Sequence, residues 1–187
     1  MLSCGHASML LYSLIHLAGV AKTDESGNPT DGLAISLDDI KNFRQITSPC
    51  AGHPEYGYAA GIETTTGPLG QGLGNSVGMA IAGKWLAATY DRPGFELFGF
   101  NTYAICSDGD VMEGIGCEAA SLAGHLKLSN LCWIYDDNKI TIEGSTDLAY
   151  TEDVDKLFES MGWNVARVDD ANDIEAIQAA LDLFRMT

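Results

Sequence analysis

Tyr103-Ala104-Ile105-Cys106-Ser107-Asp108-Gly109-Asp110 and Leu131-Cys132-Trp133-Ile134-Tyr135-Asp136-Asp137-Asn138 decide the fold of this chain. Each is a short apolar run, Tyr103–Ser107 and then Leu131–Tyr135, that stops abruptly at acidic or amide side chains. Runs of that length, rich in β-branched and aromatic residues, read as buried strands. Between them Val111–Leu126 reads as a helix. Beyond them Glu152–Met161 reads as a helix, Trp163–Val168 as a strand and Asp173–Phe184 as a helix. Strands alternating with helices predict an α/β fold, a mostly parallel sheet with helices on both faces.

Working back toward the amino terminus, Gly72–Tyr90 reads as a helix. Its small residues Gly74, Ser76, Gly78, Ala80, Ala82 and Gly83 would let another backbone come close. Residues 47–75 are loop-rich and chemically dense, and so long an irregular stretch in a compact domain is often functional. Ser36, with Asp39 three residues on, is an N-cap signal for a short helix to about Arg44. Residues 21–35, with Gly, Pro and Asn, read as a surface loop. Residues 5–20 are apolar almost all round and read as a buried helix.

The chain has 187 residues, 46% hydrophobic and 19% charged, which suits one domain or a piece of a larger one and excludes disorder as a description of the whole. Its net charge is −16, so it repels nucleic acid and anionic membrane surfaces at long range. The five cysteines form no CxxC pair, which argues against a zinc ribbon or a disulfide framework and for reduced thiols in a cytoplasmic protein. The apolar run Ala7–Ala21 contains His16 and lacks a basic leader, so it does not read as an export or membrane segment.

In open α/β sheets, ligands bind beyond the carboxyl ends of the strands. Adjacent parallel strands would set Asp108 beside Asn138, 30 residues later. A carboxylate and an amide oxygen are hard ligands that suit Mg²⁺ or Ca²⁺, and Mg²⁺ commonly completes its shell with water and phosphate oxygens. Gly109 would admit a ligand close to the backbone, and the following helix start would offer amide donors to an anion. The pattern predicts a magnesium diphosphate site, although Asp-Gly and Asp-Asn are also ordinary turn chemistry. His6 and His53 lie in or beside loops, where a histidine can donate to an anion, move a proton or simply bond its own loop. Glu113 falls in the first turn of a helix, where the dipole alone favours an acid.

Several segments together resemble transketolases. They are Leu2-Ser3-Cys4-Gly5-His6-Ala7-Ser8 through His16-Leu17, Asn42-Phe43-Arg44-Gln45, Gly52-His53-Pro54-Glu55 and Glu63-Thr64-Thr65-Thr66-Gly67-Pro68-Leu69-Gly70. Ser107-Asp108-Gly109-Asp110 followed by Tyr135-Asp136-Asp137-Asn138-Lys139-Ile140 resembles that family's thiamine diphosphate motif, with Ser107 where the family has Gly. The resemblance implies a thiamine diphosphate-binding fold over residues 1–187, as part of the diphosphate-binding domain.

It implies Asp108, Asn138 and the carbonyl of Ile140 as ligands of Mg²⁺ or Ca²⁺, and Gly109 against the diphosphate. His6 and His53 would lie near the thiazolium and diphosphate, with His6 binding the cofactor, and would serve proton transfers or substrate hydroxyls, and backbone groups of Gly67 and Leu69 would meet the aminopyrimidine. Glu113 would link sites across a subunit interface. The activity implied is transfer of a two-carbon ketol unit between sugar phosphates, in carbohydrate metabolism of the pentose phosphate type. The partner implied is a second subunit, a homodimer or another chain, carrying the pyrimidine-binding domain. The chain would then be cut at both ends and hold half a site. The alternatives are a non-catalytic fragment that binds cofactor weakly, and a region of dihydroxyacetone synthase or deoxyxylulose phosphate synthase. A nucleotide-binding Rossmann module is disfavoured, because no GxGxxG follows the first clear strand.

Overall fold

The computed structural model describes residues 1–186. A turn of 3₁₀ helix at Gly5–Ala7 leads into α1 (Ser8–Leu17), then a hairpin of β1 (Ala21–Thr23) and β2 (Pro29–Leu33), and α2 (Leu37–Lys41). After the long irregular stretch come α3 (Gln71–Tyr90), β3 (Thr102–Ser107), α4 (Asp108–Met112), α5 (Gly114–His125) and β4 (Leu131–Asp136). The small hairpin β5 (Ile140–Thr141) and β6 (Gly144–Ser145), then α6 (Val154–Ser160) and α7 (Ile174–Met186), complete the order.

The centre is parallel. β3 pairs with β4 in register from Thr102↔Leu131 to Ser107↔Asp136. On its other edge β3 takes a parallel bridge from Leu2, where Ser3 N–H donates to the Ile105 carbonyl at 2.8 Å and Ile105 N–H to that of Met1 at 3.0 Å. Alternation along the strands puts Ala104, Cys106, Trp133 and Tyr135 on one face. There they pack with Leu73 of α3, Val111 of α4 and Phe158 of α6. On the opposite face, the Tyr103 ring meets Phe184 of α7 edge-on at 5.5 Å between centroids. Helices therefore cover both faces of an α/β fold, as the strand–helix alternation predicts.

Small residues set the closeness of the layers. Val77 and Ala80 of α3 pack on Ala119 and Ala123 of α5, above Leu131. Gly72 sits where a Cβ would run into the Ser3 backbone and lie 2.7 Å from the Leu2 carbonyl oxygen, so α3 begins pressed against the edge segment. A separate cluster of Tyr12, Ile15, Ala34, Ile35, Cys50 and Ile62 anchors α1 to the loops below it.

The structure corrects five local expectations. Residues 21–35 are not a plain loop, since they hold the β1–β2 hairpin. Its turn is closed by Asp24, which accepts from Ser26 N–H and Asn28 N–H at 2.9 Å each. The helix expected at 5–20 starts at Ser8, and one face is open, with Leu10, Leu14 and Leu17 exposed. Leucines on its outer face give it the apolar pattern of a buried helix. The Ser36 cap is present with its reciprocal Asp39 bond, but α2 stops at Lys41, because Arg44 takes a left-handed backbone with φ 63°. The helix expected at Val111–Leu126 is broken at Glu113, whose extended backbone separates α4 from α5. Residues 163–168 form no strand; this segment stays irregular, pinned by the Trp163 indole N–H to the Ala120 carbonyl at 2.9 Å.

Candidate functional site

The site stands at the carboxyl ends of β3 and β4, where three stretches distant in sequence converge. The first is the turn into α1. The second is the pair of loops 50–56 and 64–70. The third is the Ser107–Asp110 corner with the loop that leaves β4.

Asp110 ties these stretches together. It is 0% exposed, and its carboxylate accepts four hydrogen bonds. Ser3 Oγ donates at 2.5 Å and Gly70 N–H at 2.7 Å to Oδ1, while Ser107 N–H at 2.9 Å and Ser107 Oγ at 3.2 Å donate to Oδ2. Both oxygens are thereby used, so Asp110 is a fastener and not a ligand. Sequence reasoning missed it. The signal available was an acid three residues after a Ser, the same pattern recognised at Ser36 and Asp39.

Asp108 differs. It is 1% exposed, and each of its oxygens has one donor. Tyr135 Oη donates to Oδ1 at 2.5 Å and Lys139 N–H to Oδ2 at 2.9 Å. Each oxygen keeps a free lone-pair direction. The second bond crosses from the corner after β3 to the loop after β4, so it brings Asp108 to the Asn138–Ile140 segment. In that loop Lys139 adopts a left-handed backbone, φ 62°, uncommon for a residue with a side chain. Asn138 Oδ1 accepts from Ile140 N–H at 3.0 Å, and its amide donates to Asp136 at 2.9 Å. The Lys139 ammonium pairs with Asp137 at 2.6 Å.

This geometry makes a buried carboxylate whose hydrogen-bond partners are the Tyr135 phenol and the Lys139 amide, with Asp110 two residues beyond it and Asp136 and Asp137 between its two partners in sequence. A buried charge is costly unless something opposite in sign compensates it. Burial, then the bond to Asp108, pushes the Tyr135 phenol far above its ordinary range, so its proton stays and donates. Among the described residues no three His, Cys, Asp or Glu side chains form a metal cluster. The donor set on offer is instead one carboxylate with amide and main-chain oxygens, which suits a hard cation that keeps other ligands for phosphate and water.

The glycine-rich turn lies over this corner. A Cβ on Gly109 would stand 2.9 Å from Leu69 Cδ1, which places Leu69 directly against Gly109. Around Gly67 no atom lies within contact of the position a Cβ would take, so that backbone is open. Glu113 is exposed, and its Cβ lies beside Gly70.

The histidines approach from the other side. A Cβ on Gly5 would be 2.5 Å from the His53 ring and 3.1 Å from Thr66 Oγ1. The α1 side chains hold the His53 loop in place. Ser8 Oγ donates to the Gly52 carbonyl at 2.9 Å and Tyr12 Oη to that of Ala51 at 2.8 Å. His6, the residue after Gly5, and His53 are both exposed. Thr66, 5% exposed, carries a buried hydroxyl without a hydrogen-bond partner in the structure.

The chain that builds this corner, with oxygen atoms at the ends of parallel strands beneath a glycine-rich turn, is matched along its whole length. The family model for the transketolase thiamine diphosphate-binding domain covers residues 1–187. Transketolase from Geobacillus stearothermophilus is 52% identical over 184 residues, which is 98% of this chain and 26% of that protein. Transketolase from Bacillus subtilis is 48% identical over the same share of each. Among solved structures, Pichia stipitis transketolase in complex with sedoheptulose 7-phosphate superposes with a TM-score of 0.89 at 46% identity, over all of this chain and 26% of that one. Leishmania mexicana transketolase gives 0.88 at 44%, over the same shares. Fold and matches define the class, an α/β thiamine diphosphate-binding domain. Within that class the chain belongs to the transketolase family, and it spans about a quarter of the length of these relatives.

Proposed function

We propose that Asp108, Asn138 and the main-chain carbonyl of Ile140 hold a Mg²⁺ or Ca²⁺ ion that carries the diphosphate of thiamine diphosphate. The observation behind this reading is the buried Asp108 carboxylate, bound only by neutral donors and joined to the Asn138–Ile140 loop through Lys139 N–H. Gly109, with Leu69 packed against it at the corner, contacts the diphosphate through its backbone. The open backbone at Gly67 and the backbone of Leu69 meet the aminopyrimidine ring. When bound, the cofactor supplies carbanion stabilisation.

The residues of this chain do the rest. His6 and His53 are exposed beside Gly5, where they donate to substrate oxygens and exchange protons with them. Glu113, exposed beside Gly70, reaches toward a second subunit. The activity we assign is ketol transfer between sugar phosphates, in an assembly whose other half, a pyrimidine-binding domain, comes from a homodimer mate or another chain. Among the described residues no helix is long and apolar enough to cross a membrane.

Calorimetry tests the site. Mg²⁺ and thiamine diphosphate together should bind the chain, and Asp108→Ala should abolish that binding. Equal heats with and without the carboxylate would refute the ligand assignment. The 187-residue chain by itself should show no transfer from a ketose phosphate to an aldose phosphate. Turnover by the pure chain would overturn the half-site reading.

A further inference from the structure

The Asp108 carboxylate does not orient itself. Asp108 opens α4 one residue beyond the end of β3, and Tyr135, near the end of β4, stands opposite Cys106 in the parallel register. The phenol of Tyr135 therefore points along the strand ends at Asp108. Its oxygen lies 2.5 Å from Asp108 Oδ1 and 3.4 Å from Asp137 Oδ1, so its single proton serves Asp108. Asp137 takes the Lys139 ammonium instead.

We infer that Tyr135 is a positioning residue for the metal site: its hydroxyl fixes the rotation of the Asp108 carboxylate so that the remaining lone pairs face the ion. The inference rests on the proposal that Asp108 is a ligand. A carboxylate turns easily about its last torsion, which has broad and nearly two-fold preferences. Lys139 N–H restrains one oxygen only. With Tyr135 on the other, both are held, and rotation would break two hydrogen bonds at once. Partners of this kind behind a ligand typically change metal affinity by about 10–100-fold when removed.

Tyr150 is the internal comparison. It packs in the same cluster as Tyr135 and Cys106, and its buried hydroxyl has no hydrogen-bond partner in the structure. Tyr150→Phe thus removes the same atom from a neighbouring tyrosine without removing a hydrogen bond to Asp108.

The test is Mn²⁺ binding in the presence of thiamine diphosphate, read from the free-ion paramagnetic resonance signal, well below the melting temperature of each protein. The full chain is compared with Asp108→Asn, Tyr135→Phe and Tyr150→Phe. Loss of binding in Asp108→Asn, about 10–100-fold weakening in Tyr135→Phe and no change in Tyr150→Phe is the expected pattern. A merely structural Tyr135 would move the melting temperature and leave Mn²⁺ affinity alone. Wild-type affinity in Tyr135→Phe, with binding lost in Asp108→Asn, overturns this inference and leaves the ligand assignment standing. Wild-type affinity in Asp108→Asn overturns both. Should Tyr135→Phe fail to fold, the wild-type chain decides. Its Tyr135 ¹³Cζ resonance should shift when Mg²⁺ and the cofactor are added, and an unmoved resonance refutes the inference.

Discussion

Replacing Asp110 by Ala removes the fastener between three segments and should cost the protein several kcal/mol. Four hydrogen bonds end on that carboxylate, and their donors fare differently. The hydroxyls of Ser3 and Ser107 can rotate toward other acceptors. The N–H groups of Gly70 and Ser107 cannot, because each is fixed by its own backbone, and Gly70 and Ser107 are both buried. An unsatisfied buried donor costs about 1–3 kcal/mol, so the two together put the loss at roughly 2–6 kcal/mol. A domain of ordinary stability has about 5–15 kcal/mol to lose. Asp110→Asn is the graded control. Its amide oxygen can still accept from Ser3 and Gly70, but its NH₂ then faces Ser107 N–H, donor against donor, which predicts a loss of about 1–3 kcal/mol. Urea unfolding followed by far-ultraviolet circular dichroism measures both. With a slope of about 2 kcal/mol per molar, Asp110→Ala should lower the midpoint by roughly 1–3 M. A loss below about 1 kcal/mol in Asp110→Ala, with the slope unchanged, would mean that water satisfies those amides and would refute the argument.

Two further predictions follow from burial and from contact. Burial raises the Cys4 thiol from 9.0 to about 12, and the Tyr12 and Tyr150 phenols each from 10.0 to about 12. A folded pKa above the unfolded one gives stability that is whole below pH 9 and lost as pH rises toward 12. The urea midpoint should therefore fall above pH 9, less steeply in Cys4→Ala; a midpoint flat from pH 9 to pH 11 would contradict these assignments. Gly72→Ala would drive a methyl into the Ser3 backbone, which has no rotamer to yield, and should cost about 1–3 kcal/mol by thermal melting. A melt within 1 °C of wild type would show that α3 can back away from the edge segment.

The parallel pair was legible because β3 and β4 are short apolar runs that end in polar side chains, and their ends form the candidate site. The Ser36 cap was legible for a similar reason, since its signal is local. What sequence could not show lies in contacts that span the chain. Asp110 looked like one more acid in a turn until Ser3, 107 residues away, was placed against it. The strand expected at Trp163–Val168 has suitable residues, but the Trp163 ring is spent on Trp133, Phe158 and the Ala120 carbonyl, and the segment gains no ladder partner. The 21–35 hairpin is short and exposed, and its turn is built from Asp24 rather than from an Asn-Gly pair that would have announced it.

The charge of the chain and the chemistry proposed for it fit together only at the level of single residues. A net charge of −16 opposes any diphosphate arriving from solution. Yet the surplus of acids is uneven in what it can do. Asp110 has both oxygens filled by protein donors, and Asp137 is paired with Lys139. Asp108 alone among these three combines burial, free lone pairs and neutral partners. A divalent cation there would compensate the buried carboxylate and present net positive charge to the diphosphate, so one ion would relieve two costs. On this argument metal and diphosphate bind in mutual dependence. Thiamine diphosphate titrated into metal-free chain should give no heat, and the same titration with Mg²⁺ should saturate. Tight cofactor binding in chelator would place the diphosphate on amides and histidines instead, and Asp108 would lose its role as the charge that the ion answers.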